Sequence, residues 1–264
     1  RYAMQAFDAA LLMYSMRRKN DEYFSLLRSA AKIAQNQNDL VRAIDYYTEI
    51  IDDYRERDRV NEAVYVSEIL TDLHLELGSF TAALSCLSKA CEMLPDFATF
   101  NSDFPSKMAS LDPIFIRLQI VTANVHLQSY TFNRGIELLE KLVRFKLAPV
   151  THVQVTEMLV KAFTKKRSFN DASQVLETWK ELVRDNLAQG KSMTARGTVR
   201  RGHHLASSHL DMMFWELSSN NYFHNQKYFE AIYCVERAIA CTKPTRFSAM
   251  GKLLYLRGKI LQEL

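Results

Sequence analysis

Glycine and proline are scarce in this chain of 264 residues, with 7 and 5 copies. Sheet-rich folds need many tight turns and use more of both, so the scarcity points to long helices. The four cysteines, Cys86, Cys91, Cys234 and Cys241, are too sparse for a disulfide framework, and none stands in a C-x-x-C pair. They read as reduced thiols acting as small apolar residues in a cytoplasmic or nuclear protein. No apolar run approaches the roughly 18 residues that a membrane-spanning helix needs. Catalytic signatures are missing too: there is no G-x-G-x-x-G, no G-x-x-x-x-G-K-[ST], no H-E-x-x-H and no G-x-S-x-G. His203, His204 and His209 form the one histidine cluster, and Asp211 is the nearest acid. A zinc site needs four ligands on a rigid frame, and this glycine-containing stretch does not promise one. The expectation is a non-enzyme without metal or cofactor. The lone His74 and His126 read as interior residues of helices. The chain opens at Arg1 and closes inside "GKLLYLRGKILQEL", which reads as an unfinished helix, so a piece of a longer protein is expected.

What is present is a repeated spacing. In "GSFTAALSCLSKACEMLP" the residues Phe80, Ala83, Leu87 and Ala90 are three, four and three apart and share one helix face. Gly78 reads as a left-handed cap closing the preceding helix, and Pro95 stops the next. The same stripe recurs as Leu40, Ala43, Tyr47 and Ile50, and again as Phe132, Gly135, Leu139 and Leu142. It returns as Phe169, Ala172, Leu176 and Trp179, and as Tyr228, Ala231, Val235 and Ala238; Phe7, Ala10 and Tyr14 give a weaker copy. The small anchors Ala10, Ala43, Ala83, Gly135, Ala172 and Ala231 are separated by 33, 40, 52, 37 and 59 residues. One helix pair cannot bury such a stripe alone, so the copies must stack.

With these residues the chain resembles the tetratricopeptide repeat (TPR) family, whose pattern is W-x2-L-G-x2-Y…A-x3-F…P. The stretch from Gly78 to Pro95 matches its second half. Trp215, Ser219 and Tyr222, followed by Tyr228, Ala231 and Ala238, match both halves of another copy. Gln119 and Thr156 stand where Trp would, and His74 and His126 where Tyr would. Related helical-pair repeats, such as proteasome-lid-like or soluble-NSF-attachment-like solenoids, fit as well. The resemblance implies an all-α, right-handed α-solenoid of antiparallel helix pairs, with five to six degenerate TPR-like repeats spanning 1–264 as a single domain.

Two insertions break the period. Residues 95–113 contain three of the prolines and the apolar Phe97, Phe100 and Phe104, which either fold back onto the helices or form an exposed docking loop. Asp112-Pro113 then restarts a helix as N-cap and first-turn proline. Residues 187–209 contain three glycines and the cations Lys191, Arg196, Arg200 and Arg201. This stretch is either a solvated linker or a site for phosphate or an acidic partner, and Ser192, Thr194 and Thr198 beside it are candidate phosphorylation sites. In "SSNNYFHNQKYF", Tyr222 and Phe229 read as core and Asn225 to Lys227 as a turn, with Asn220 and His224 as secondary candidates for peptide contact.

In a solenoid of helix pairs the first helices line the inner face, with readable positions four apart. Here these are Arg28/Lys32, Glu68/Asp72, Ile120/Asn124, Glu157/Lys161 and Glu216/Asn220. The repeat subfamily that grips chaperone carboxylates uses Lys then Asn in one unit, and no unit here does. The face is basic at one end, acidic next to it and mixed beyond, which suits an extended or helical peptide of alternating charge. The expected function is a protein-interaction scaffold that binds a peptide or helix within a larger assembly. The alternatives are a nucleic-acid- or phosphate-associated module acting through 190–204, and a purely structural spacer.

Overall fold

The computed structural model describes residues 9–10, 12–13, 21–101, 111–145, 147–180, 207–243 and 245–264. Among the described residues every regular element is a helix. In chain order they are α1 (Asp21–Asn36), α2 (Leu40–Glu56), α3 (Val60–Glu76), α4 (Phe80–Glu92), α5 (Asp96–Asn101) and α6 (Pro113–Gln128). There follow α7 (Phe132–Val143), α8 (Pro149–Lys166), α9 (helical over 169–180), α10 (Ser207–His224), α11 (Tyr228–Cys241) and α12 (Phe247–Glu263). None of the described helices is long and apolar enough to cross a membrane. The helices fall into two compact units, Arg1–Ser129 and Tyr130–Leu264.

The repeated stripe sets the start of every second helix. Helices α2, α4, α7, α9 and α11 each begin on the first residue of a stripe, from Leu40 to Tyr228. Their anchors Ala43, Ala83, Ala172 and Ala231 are 0% exposed, and Gly135 is buried as well. Ala10 is half-buried, while Phe7 and Tyr14 lie outside the described residues. The small anchor permits close approach: the Ser219 hydroxyl, on the first helix of its pair, donates to the carbonyl of Ala231 at 2.9 Å.

The turns are built one way. Gly78 has φ +70°, the left-handed cap expected of it. Asn38, Tyr130, Arg167 and Gln226 occupy the same position in the other pairs at φ of 60–64°. Each stands five residues before its anchor. Asp58, between α2 and α3, does the same at φ 54°. A side chain in this region costs about 1–2 kcal/mol, so the hydrogen bonds made there must compensate. In the turns at Asn38, Asp58, Gly78, Arg167 and Gln226 the next amide reaches back to close the helix: Asp39 N–H to Ala34 O at 2.9 Å, Arg59 to Tyr54 at 2.8 Å, Ser79 to His74 at 2.7 Å, Ser168 to Phe163 at 2.9 Å and Lys227 to Tyr222 at 2.9 Å. These bonds satisfy carbonyls that a helix end leaves open.

In the first unit α1 packs on α2, α2 on α3, α3 on α4 and α4 on α6. Leu27, Ala43, Ile50, Leu70 and Leu73 share one core. Asp112 caps α6, its carboxylate accepting from the Ile114 N–H at 2.7 Å, with Pro113 in the first turn. In the Phe-containing insertion, Phe100 is 2% exposed, and its ring meets that of Phe115 edge-on at 5.4 Å. Phe100 is therefore not a docking residue: its side chain is spent within the fold. Phe97 is half-buried, and Phe104 lies outside the described residues.

In the second unit α7 packs on α8, α8 on α10, α10 on α11 and α11 on α12. Asn221 of α10, 2% exposed, joins three helices. Its amide N–H groups donate to the carbonyl of Phe169 at 3.2 Å and to the Ser173 hydroxyl at 3.0 Å, and its Oδ1 accepts from the Thr164 hydroxyl at 3.4 Å. Asn225 to Lys227 form the expected turn around Gln226. Tyr222 packs against the core of this unit, but Phe229 is corrected from core to surface: it is 77% exposed. Position 229 is the second residue of α11, one step off the stripe begun by Tyr228, and so it points away from the packed face.

Candidate functional site

The inner-face positions fare differently in the two units. In the first, Arg28 on α1 turns toward its own pair: its guanidinium donates to the Phe24 carbonyl at 3.3 Å and to the Tyr54 hydroxyl at 2.8 Å. Lys32, Asp72 and Asn124 are exposed on α1, α3 and α6. Ile120 is buried and is withdrawn as a surface position. Glu68 is not an open carboxylate. Arg117 of α6 takes it in a two-pronged pair, Nε to Oε1 at 2.7 Å and Nη2 to Oε2 at 2.9 Å. The acidic step read from Glu68 is thus neutralised by a cation from the next first helix.

The second unit brings its four candidates together. Glu157 and Lys161 on α8, and Glu216 and Asn220 on α10, line one cavity of about 250 Å³. Met213, Leu217 and Val160 give it apolar surface, and His224 and Lys165 complete its polar wall. Lys161 and Glu157 are one helical turn apart, the spacing that lets them meet, and they pair at 2.5 Å. Asn220 donates to the Glu216 carbonyl at 3.0 Å and lines the cavity.

Glu216 is the unusual charge in this wall. Burial raises its pKa above the usual carboxylate range; the ammonium groups of Lys161 and Lys252 oppose that shift, and Glu157 adds to it. His209, at the start of α10, has Nδ1 2.8 Å from a guanidinium nitrogen of Arg246. Arginine only donates, so Nδ1 is the acceptor and the proton sits on Nε2. Burial and Arg246 lower the proton affinity of His209, while Glu157 raises it.

The remaining chemistry-bearing residues are structural where they can be placed. Burial pushes the Cys91 thiol up to about 12, the Glu92 carboxylate adding to the shift, and Gln119 donates to its sulfur at 3.2 Å. Burial likewise holds Cys234 up at about 11. Thiols held this far above neutrality are poor nucleophiles. His126 is buried, and His74 is half-buried with its proton affinity lowered by burial. Among the described residues no group of three His, Cys, Asp or Glu side chains is arranged to hold a metal ion. His203, His204 and the basic residues Lys191, Arg196, Arg200 and Arg201 lie outside the described residues.

No family model matches the chain, and no curated protein matches it in sequence. Solved structures do match. BtubC (BKLC) from P. vanneervenii superposes with a TM-score of 0.55 at 14% identity, over 85% of this chain and 84% of that one. A putative kinesin light chain of Podosopora anserina with nearly identical TPR-like repeats gives 0.56 at 16% identity, covering 85% of this chain and 97% of that one. A variant of the same protein gives 0.58 at 17% identity, covering 86% and 99%. The shared feature is the stack of helix pairs, with a small anchor five residues after each left-handed turn in this chain. In its fold the chain is a TPR-like helical-repeat protein.

Proposed function

We propose that the chain is a non-catalytic scaffold module that binds a peptide segment or helix of a partner protein within a larger assembly. In this reading the groove between α8 and α10 is a gripping surface. The observation that carries it is the convergence of Glu157, Lys161, Glu216 and Asn220 on one cavity. Side chains of both signs, an amide and an apolar floor suit a peptide backbone with mixed charges. Among the described residues, burial holds the thiols of Cys91 and Cys234 protonated, and His209 accepts from Arg246.

The test is a photo-reactive amino acid at position 220 in the full-length protein in cells, with adducts identified by mass spectrometry. Reproducible protein adducts that disappear on Lys161→Glu or Glu216→Lys are expected. Adducts indifferent to both reversals, or none with protein, would overturn the reading.

A further inference from the structure

A second cavity lies on the other side of α10, between the second helices α9 and α11. It holds about 380 Å³, and aromatic rings dominate its wall: Phe214, Trp215 and Tyr222 from α10, Phe229 and Tyr233 from α11. The proposed groove uses none of them. Tyr233 is 57% exposed, and Phe229 is still more open. Exposed aromatics concentrated at one spot are unusual on a surface with no ligand to meet.

The rings form a corner. Phe214 and Trp215 meet at 5.0 Å and 77°, and Trp215 and Tyr233 at 6.1 Å and 88°. In such edge-to-face pairs one ring's positive edge meets the other's negative face, and a ring face outside the pair can attract a cation. The protein's own cations already use these rings. Arg237 lies 5.5 Å from the Trp215 centroid and 6.0 Å from that of Tyr233, and Lys180 lies 5.9 Å from Phe214. Trp215 and Tyr233 line the cavity, and Arg237 does not.

Two carboxylates, Glu177 and Glu230, border the same space. Glu177 is answered by Lys180 at 3.6 Å. Glu230 has no ion pair among the described residues and is exposed at the rim. Both carboxylates raise the pKa of Tyr222, after burial and Cys234, so their field reaches the inside of the cavity. With Glu177 paired to Lys180, Glu230 is the carboxylate of this lining that offers charge complementarity to a cation.

We propose that this cavity is a second binding site, one that takes an arginine side chain from a basic segment of a partner protein. A guanidinium is flat enough to lie on Trp215 or Tyr233 while its edge forks the Glu230 carboxylate, which an ammonium does less well. The site faces away from the α8–α10 groove across α10, so a guest here leaves that groove free.

The experiment is a calorimetric titration of the purified 264-residue chain with acetyl-Gly-Arg-Gly-Arg-Gly-amide and with the same peptide carrying citrulline for arginine. Citrulline keeps the shape and loses the charge. Saturable binding of the arginine peptide is expected, with a change in tryptophan emission in a parallel fluorescence titration that is lost in Trp215→Phe, and weakened about tenfold or more in the citrulline peptide. Glu230→Gln and Tyr233→Ala should each weaken it about five- to tenfold. Both side chains are exposed, so the thermal midpoint should stay put. Equal binding of the two peptides, or no effect of either substitution, would overturn the site. Binding seen only after Arg196, Arg200 and Arg201 are changed to Ala would assign the cavity to this chain's own arginines and overturn the partner.

Discussion

Replacing Asn221 tests how the second unit is locked. The side chain is 2% exposed and joins α8, α9 and α10 through bonds of 3.2, 3.0 and 3.4 Å. In Asn221→Ala none of its partners is orphaned. The Phe169 carbonyl still accepts from Ser173 at 2.9 Å, and the Thr164 hydroxyl still donates to the Val160 carbonyl at 2.8 Å. The loss is therefore the net worth of two good bonds, about 1 kcal/mol each, plus roughly 1 kcal/mol for the vacated volume. A total of about 2–3 kcal/mol is expected. Asn221→Leu fills the volume without stranding a partner and should cost about 1 kcal/mol. Asn221→Asp turns a donor into a buried anion facing the Phe169 carbonyl, and should cost more than Ala at neutral pH. Its folded pKa would lie above the unfolded value, so the protonated form is favoured in the folded state. Its deficit should shrink toward pH 4 and grow as pH rises through the folded pKa. Urea unfolding of the four proteins at pH 4 and pH 7, with unchanged m-values, measures this. A cost for Ala below about 0.5 kcal/mol, or identical behaviour of Asp and Ala at both pH values, would refute the bridging role.

Four further outcomes follow from the same structure. Arg167→Gly should stabilise by about 0.5 kcal/mol, because relief of the left-handed penalty exceeds the entropy of glycine. Gly78→Ala should destabilise by about 1 kcal/mol through backbone strain alone, since nothing lies within 4 Å of the added methyl; thermal denaturation reads both. Phe100→Ala should cost about 3–4 kcal/mol in urea unfolding, as expected for a buried ring, and no loss would return Phe100 to the surface. Glu216 has its folded pKa raised, so its contribution is present below the unfolded value near about 4.3 and fades as pH rises through the folded one. Glu216→Gln should accordingly gain on the native protein between pH 4 and pH 7, and a pH-independent difference would contradict the shift.

The helix pairs were legible because a small residue at a fixed place in a stripe is a packing requirement. Ala43, Ala83, Gly135, Ala172 and Ala231 are all buried where the spacing put them. The left-handed turn was legible at Gly78. Asn38 also carries a type that tolerates this backbone, whereas Tyr130, Arg167 and Gln226 adopt it without a residue type that announces it. The Glu68–Arg117 pair was hidden because it spans the insertion between two repeats, where spacing says nothing about register. Phe229 was misread because its apolar character suggested core, while its place one step off the stripe faces it outward. The residues lining the α8–α10 groove could be named in advance because both helices obey the repeat. The aromatic corner around Trp215 could not, since it depends on how far α9 stands from α11, which the stripe spacing does not give.

The invariant distance from turn to anchor makes the pairs separable cassettes. From each left-handed residue to its anchor the count is five, whereas the anchors themselves are 33 to 59 residues apart. Added length has therefore gathered between cassettes, never inside the hinge of one. A tag spliced into the short link before Pro149 should leave both neighbouring pairs intact. A single residue inserted between Arg167 and Ala172 would rotate a whole second helix by about 100° and turn its anchor away from its partner.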